Sequence, residues 1–224
     1  MPMLKLVTFD LDGTIIDDEW AHARAKADIA KKLGAEGDLD LEYYVGRSNR
    51  LFWAHVIEKF GLPEQNIEEL VEQQFTLVAQ YVQEVRQPES PGLTELLNYL
   101  KQNGYTTAVT SGSDVSFVDK ILEYLGVLKL FDVKVTKNDV HAVKPDPDIY
   151  LTAQRFADID GCHAIGIEDS TSGCMALKRA GMLSVGFTDN NKNPQDLSGA
   201  DHRINTLSEL IPILESIQLS TQVQ

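Results

Sequence analysis

Short apolar runs of strand length recur at Leu4 to Phe9, Tyr105 to Thr110, Phe131 to Val135, Ala164 to Ile167 and Leu183 to Phe187, and nearly all are continuous rather than alternating. A strand wetted on one face alternates apolar and polar residues, whereas one covered on both faces has no reason to. Helical patterns stand between these runs, at Pro91 to Gln102, Asp114 to Leu125, Pro147 to Ala157 and Ser170 to Ala180. Strand and helix in alternation predict an α/β fold, a doubly wound parallel sheet. A last helix from Leu207 to Ile217 closes the chain.

The first connection breaks this rhythm. More than ninety residues separate Phe9 from Tyr105, where one crossover helix would suffice. Their content is helical: Glu19 to Leu33 is rich in Ala and Lys, Asn49 to Phe60 stops at Gly61 and Pro63, and Glu64 to Val85 places Ile67, Leu70, Val71, Phe75, Val78 and Val82 at three-to-four spacing. An inserted all-α helical cap domain is therefore expected over residues 16–89, with residues 1–15 and 90–224 forming the core domain. Two prolines in Pro88 to Gly92 favour a stiff, extended return link, and the outgoing link falls near Ile15 to Asp18.

A chain of 224 residues with 43% hydrophobic composition can bury one good core plus a small appendage. Its net charge of −14 repels nucleic acid and anionic membrane surfaces, so any phosphate it handles must be attracted locally. The two cysteines, Cys162 and Cys174, show no ligand spacing and read as reduced packing residues. With no leader pattern and no long apolar stretch, a cytoplasmic protein is expected, as a monomer or weak dimer.

In open α/β sheets ligands bind beyond the carboxyl ends of the strands. The residues there are chemically selective: DLDGT at Asp10 to Thr14, TSGS at Thr110 to Ser113, KPDP beginning at Lys144, and EDSTSG at Glu168 to Gly173. If the backbone stays extended after the first strand, the carboxylates of Asp10 and Asp12 share one side. At roughly 4 to 5 Å their repulsion costs a few kcal/mol, which calls for a cation. Mg²⁺ suits the task, because it takes oxygen ligands and is held by one or two carboxylates plus a substrate phosphate. Glu168 and Asp169 could complete its shell. Each stretch alone has a plainer reading: a solvated acidic turn, helix capping by Ser170 or Ser113, a solvated lysine. All four in this order, each at a strand end, make the plain readings jointly improbable.

The arrangement DxDGT, then Ser or Thr after the second strand, then Lys-Pro, then GxEDSxxG before a helix resembles the haloacid dehalogenase superfamily over essentially the whole chain. The inserted cap resembles its β-phosphoglucomutase-like branch. That resemblance implies a Mg²⁺-dependent phosphatase acting on a small phosphorylated metabolite. Asp10 would attack phosphorus to form an aspartyl-phosphate, and Asp12 would protonate the leaving oxygen and later deprotonate the attacking water. Ser111 and the Gly112 amide would bind the transferring oxygens, and Lys144 would neutralise them. Asp10, Asp169 and Glu168 would ligate Mg²⁺ by side chain, and Asp12 through its carbonyl. Within the cap, the resemblance places a specificity loop at VGRSNR, with Gly46, Arg47 and Arg50 as substrate-binding candidates, and a substrate-touching histidine at His22. Trp20, Phe52 and Trp53 read as packing residues.

Four rivals have sequence tests. A sugar-phosphate mutase would share the aspartyl-phosphate. His22 favours it, but Thr14 follows the phosphatase form, and Phe75 and neighbouring glutamines stand where mutases carry a substrate-binding lysine. A receiver-like signalling module is about half this length and takes the phosphoryl group on its third strand. A dehalogenase lacks the second aspartate, so Asp12 argues against one, and the retained acids and Lys144 argue against a non-catalytic phosphate-binding protein.

Overall fold

The computed structural model describes residues 3–44, 48–189 and 195–222, the side chains of the last stretch through residue 219. It divides into two compact units, Met1–Asp17 with Pro88–Gln224, and Asp18–Gln87.

The first unit is built on a six-stranded parallel sheet of β1 (Leu6–Asp10), β2 (Thr106–Thr110), β3 (Val133–Val135), β4 (Ala164–Glu168), β5 (Leu183–Phe187) and β6 (His202–Ile204), in the order β3-β2-β1-β4-β5-β6. The protein thus has the expected doubly wound parallel sheet. β1 and β4 are buried along their whole length, which is why their sequences need no alternation. The chain steps from β1 through β2 to β3 on one side and then crosses back to β4 on the other side of β1, so the order reverses at β1. A crevice opens at such a switch point beyond the carboxyl ends of the strands, where Asp10 and Glu168 terminate β1 and β4.

Connecting helices are α4 (Leu93–Gln102), α5 (Val115–Tyr124), α6 (Asp148–Ala157) and α7 (Thr171–Arg179), and α8 (Leu210–Gln222) ends the fold. From α6, Ile149, Tyr150 and Ala153 join Ala176 and Leu177 of α7 against Leu6, Ala108 and Ala164 of the sheet. One expectation is corrected here, and one strand is new. β3 keeps only three residues, because Phe131 closes a short helical turn. β6 was not foreseen, since His202 and Arg203 leave Ile204 as its one buried apolar residue.

The second unit contains α1 (Glu19–Lys32), α2 (Asn49–Lys59) and α3 (Ile67–Glu84). The last starts at Ile67, the first residue of its apolar period, three residues later than the expected Glu64. Asn66 accepts a hydrogen bond from the Glu68 amide at 3.1 Å and caps the helix there. Phe52, Trp53 and Val56 of α2 and Leu70, Val71, Phe75, Val78 and Val82 of α3 are buried, as their spacing requires. Among the described residues no helix is long and apolar enough to cross a membrane.

Candidate active site

Asp10 ends β1 with its side chain almost wholly buried. Parallel pairing sets Phe9 beside Ile167 and Asp10 beside Thr110, so Glu168 and Ser111, one residue further on, flank it on either side. The Ser111 amide extends the ladder to Val135 O at 3.0 Å. Lys144 reaches this place from the loop before α6. That loop is tied down by Asp148, whose carboxylate accepts from the His141 and Ala142 amides at 2.7 and 3.3 Å, and by Arg179, which donates to Pro145 O at 2.8 Å.

The Lys144 ammonium donates to Asp10 Oδ1 and lies 2.5 Å from Glu168 Oε1. Glu168, fully buried, also accepts from the Tyr150 hydroxyl and, at 3.1 Å, from Ser170 Oγ. Ser170 serves a second purpose as the N-cap of α7, accepting from the Gly173 amide at 3.0 Å. Oxygen atoms of Asp10, Glu168 and Asp169 lie within 4.8 Å of one another. Two glycines make that crowding possible. A Cβ on Gly13 would meet Asp169 Oδ2 at 2.3 Å, and one on Gly173 would meet Glu168 Cδ at 1.9 Å.

Charge is unbalanced here. Burial pushes the Asp10 carboxyl well above the usual carboxylate range; Lys144 pulls it down, but Glu168, Asp169 and Asp12 add to the rise. Burial opposes charge on Lys144 too, yet Asp10 and Glu168 outweigh it and hold the ammonium well above its ordinary value. One fixed cation among four carboxylates leaves negative charge in excess, and the three-acid group of Asp10, Glu168 and Asp169 fits a divalent ion with oxygen preference.

The backbone after Asp10 does not stay extended. The chain turns after Asp10, with the Ile15 amide bonded to Leu11 O at 2.9 Å and Gly13 at φ +79°, and Asp12's carboxylate is not part of that three-acid group. Its Oδ2 instead accepts from Ser111 Oγ at 3.2 Å and Ser113 Oγ at 3.1 Å. Ser113 is therefore no helix cap: Asp114 occupies the N-cap position of α5, and Ser113 serves Asp12. Sequence reading also missed Tyr150. The only signal available was a tyrosine in the first turn after KPDP, which periodicity alone assigns to the core.

In the helical unit His22 is buried on α1 and Arg50 is exposed on α2, its Nε 2.7 Å from Glu68 Oε1. Gly46 and Arg47 lie outside the described residues. Of the cysteines, Cys174 packs inside, whereas Cys162 is exposed and does not.

A family model of haloacid dehalogenase-like hydrolases matches residues 4–181, a stretch that holds every one of these side chains. The chain belongs to the haloacid dehalogenase-like hydrolases. Among proteins of this kind it is 32% identical over 212 residues to validoxylamine A 7′-phosphate phosphatase of Streptomyces hygroscopicus subsp. limoneus, covering 93% of this chain and 96% of that one. It is 30% identical to β-phosphoglucomutase of Bacillus subtilis, over 92% of each chain. The crystal structure of β-phosphoglucomutase from Clostridium difficile superposes with a TM-score of 0.81 at 25% identity, covering 99% of this chain and all of that one. A hydrolase of phosphatase type with a haloacid dehalogenase-like core and helical insertion is thus what both sequence and structure describe.

Proposed function

We propose that the protein hydrolyses a small phosphorylated metabolite of sugar-phosphate type, with Asp10 as nucleophile. The observation that carries this reading is the position of Asp10: buried at the end of β1, ion-paired to Lys144, and beside Glu168 and Asp169. A carboxylate so placed has one oxygen oriented by an ammonium, while the other is available to attack. In the first step a bond forms between Asp10 and phosphorus as the ester bond breaks, and Asp12 gives its proton to the leaving oxygen. In the second, water attacks phosphorus, Asp12 takes the water's proton, and the bond to Asp10 breaks to release inorganic phosphate.

Ser111, the Gly112 amide and Lys144 bind the phosphoryl oxygens, and the hydroxyls of Ser111 and Ser113 keep the Asp12 carboxylate in place between steps. Asp10 and Asp169 would hold Mg²⁺, with Glu168 behind them and Asp12 contributing its main-chain carbonyl. When bound, the ion neutralises charge on the phosphoryl group and on the crowded acids. Tyr150 and Ser170 fix Glu168, which in turn fixes Lys144. His22, Gly46, Arg47 and Arg50 are the helical unit's contributors to substrate choice. Two free thiols and the absence of a membrane-crossing helix among the described residues support a cytoplasmic setting, and we read the protein as a monomer or weak dimer.

A mutase has support in the two β-phosphoglucomutases described above. Against it, α3 carries Gln74 and Phe75 and no lysine anywhere along its length. A phosphate-release screen over phosphorylated sugars, polyols and related metabolites with Mg²⁺ separates the readings. Hydrolysis that disappears in Asp10→Asn supports the proposal, and release surviving that substitution rejects it. Conversion of β-glucose 1-phosphate to the 6-phosphate faster than phosphate release would establish the mutase instead.

A further inference from the structure

Three helices of the inserted unit meet at one buried amide. Gln74 on α3 accepts from the indole of Trp53 at 3.0 Å through Oε1, and its Nε2 donates to His22 Nδ1 at 3.0 Å and to Asn49 Oδ1 at 3.1 Å. Trp53 and Asn49 stand one turn apart on α2, and His22 belongs to α1. Gln74 and Trp53 are completely buried, and the Phe75 and His22 rings pack in a T-shaped contact with centroids 5.8 Å apart. Apolar side chains would fill such a junction at lower desolvation cost, so a polar set retained here asks what it accomplishes.

The chemistry of the donors answers. An indole nitrogen can only donate, so the Gln74 oxygen must face Trp53 and the amide cannot be turned over without setting two donors against each other. Both amide hydrogens are then directed away from Trp53, one to Asn49 and one to His22. Nδ1 of His22 can only accept, and the ring proton must sit on Nε2. That nitrogen faces the side of the Asp18 carboxylate, 3.7 Å from Oδ2. We propose that Gln74 is a positioning residue that locks His22 as the Nε2–H tautomer, making His22 a hydrogen-bond donor to an oxygen of the substrate rather than an acceptor of its protons. The second half rests on the reading above that His22 contributes to substrate binding. A donor there selects for hydroxyl or anionic oxygen on the leaving group.

The lock is read by long-range ¹H–¹⁵N correlation spectra of the whole protein labelled at its five histidines, with His22→Asn assigning the resonance. Wild type should show His22 with a bare Nδ1 and a protonated Nε2. In Gln74→Glu the carboxylate still accepts from Trp53 but now also accepts from His22, so a proton should appear on Nδ1. In Trp53→Phe, which keeps an aromatic ring, the amide is free to turn and the His22 signature should average between tautomers. A proton on Nδ1 in wild type, or an unchanged His22 spectrum in both variants, overturns the lock, and the wild-type spectrum decides even where a variant does not fold. With the best substrate from the screen, Gln74→Glu should raise KM about tenfold, the size of one lost hydrogen bond, with kcat moved less. A lock seen in the spectra with KM unmoved overturns the substrate role of His22 alone, and Asp10→Asn tests the hydrolase reading independently of both.

Discussion

Gly173 stands where the Glu168 carboxylate needs room, and its missing side chain is as much a part of the site as the carboxylate itself. Gly173→Ala should displace Glu168, and with it the acceptor that holds both Tyr150 and Lys144. We expect a loss of about 1–3 kcal/mol in urea unfolding and a fall in phosphate release larger than tenfold. Unaltered stability and activity would contradict the packing described. The paired serines make a finer prediction. Ser113→Ala removes one hydroxyl from Asp12 and nothing else the reaction uses, so kcat should drop about tenfold with little change in KM. Ser111→Ala, which also removes a phosphoryl contact, should cost more. At this scale sequence reading missed the roles of Ser113 and Tyr150, because a serine before a helix and a tyrosine within one each have an ordinary local explanation. Only the fold brings them to Asp12 and Glu168.

Elements carry these residues, and their ends matter more than their middles. Ser170 caps α7 and bonds Glu168 with one hydroxyl. Ser170→Ala should therefore cost about 1 kcal/mol of stability as a lost cap while also lowering kcat. A pure capping role would leave the rate untouched. Away from the site, α8 is tied to the start of β2 by Gln218, which donates to the Tyr105 hydroxyl. Burial, then the nearby Tyr99, pushes the Tyr105 phenol up from 10.0 to about 12. A phenol raised in the folded state favours folding while it stays neutral. Its contribution is full below its unfolded value and disappears as pH rises through its folded one. Stability followed by denaturant titration across that alkaline window should fall less steeply in Tyr105→Phe than in wild type, and an identical slope would show that Tyr105 ionises freely. Most elements were legible because burial on both faces of β1 and β4 and the 3.6-residue period of α3 leave their mark in composition. β6 was not, since a short edge strand with one buried apolar residue leaves too little pattern to read.

For the molecule as a whole, the topology does the assembling. Four stretches, the first and last more than 150 residues apart in the chain, meet because the strand order reverses at β1; three follow directly on β1, β2 and β4, and Lys144 reaches in from the loop before α6. The excess of carboxylates there predicts metal dependence that can be seen without turnover. Mg²⁺ should raise the melting temperature of wild type and do so less in Asp169→Asn, while EDTA should abolish phosphate release and added Mg²⁺ restore it. Full activity in chelator would remove the ion from the account. The acidic surface that follows from a net charge of −14 makes local attraction of phosphate a necessity, and Lys144 is its fixed cation in the site. The central claim is that Asp10 takes the phosphoryl group. Rapid quench of a turning-over reaction into borohydride, followed by peptide mass spectrometry, tests it directly. The account predicts homoserine in place of Asp10 and unmodified aspartate elsewhere, and reduction at another carboxylate, with Asp10 intact under steady turnover, would contradict it.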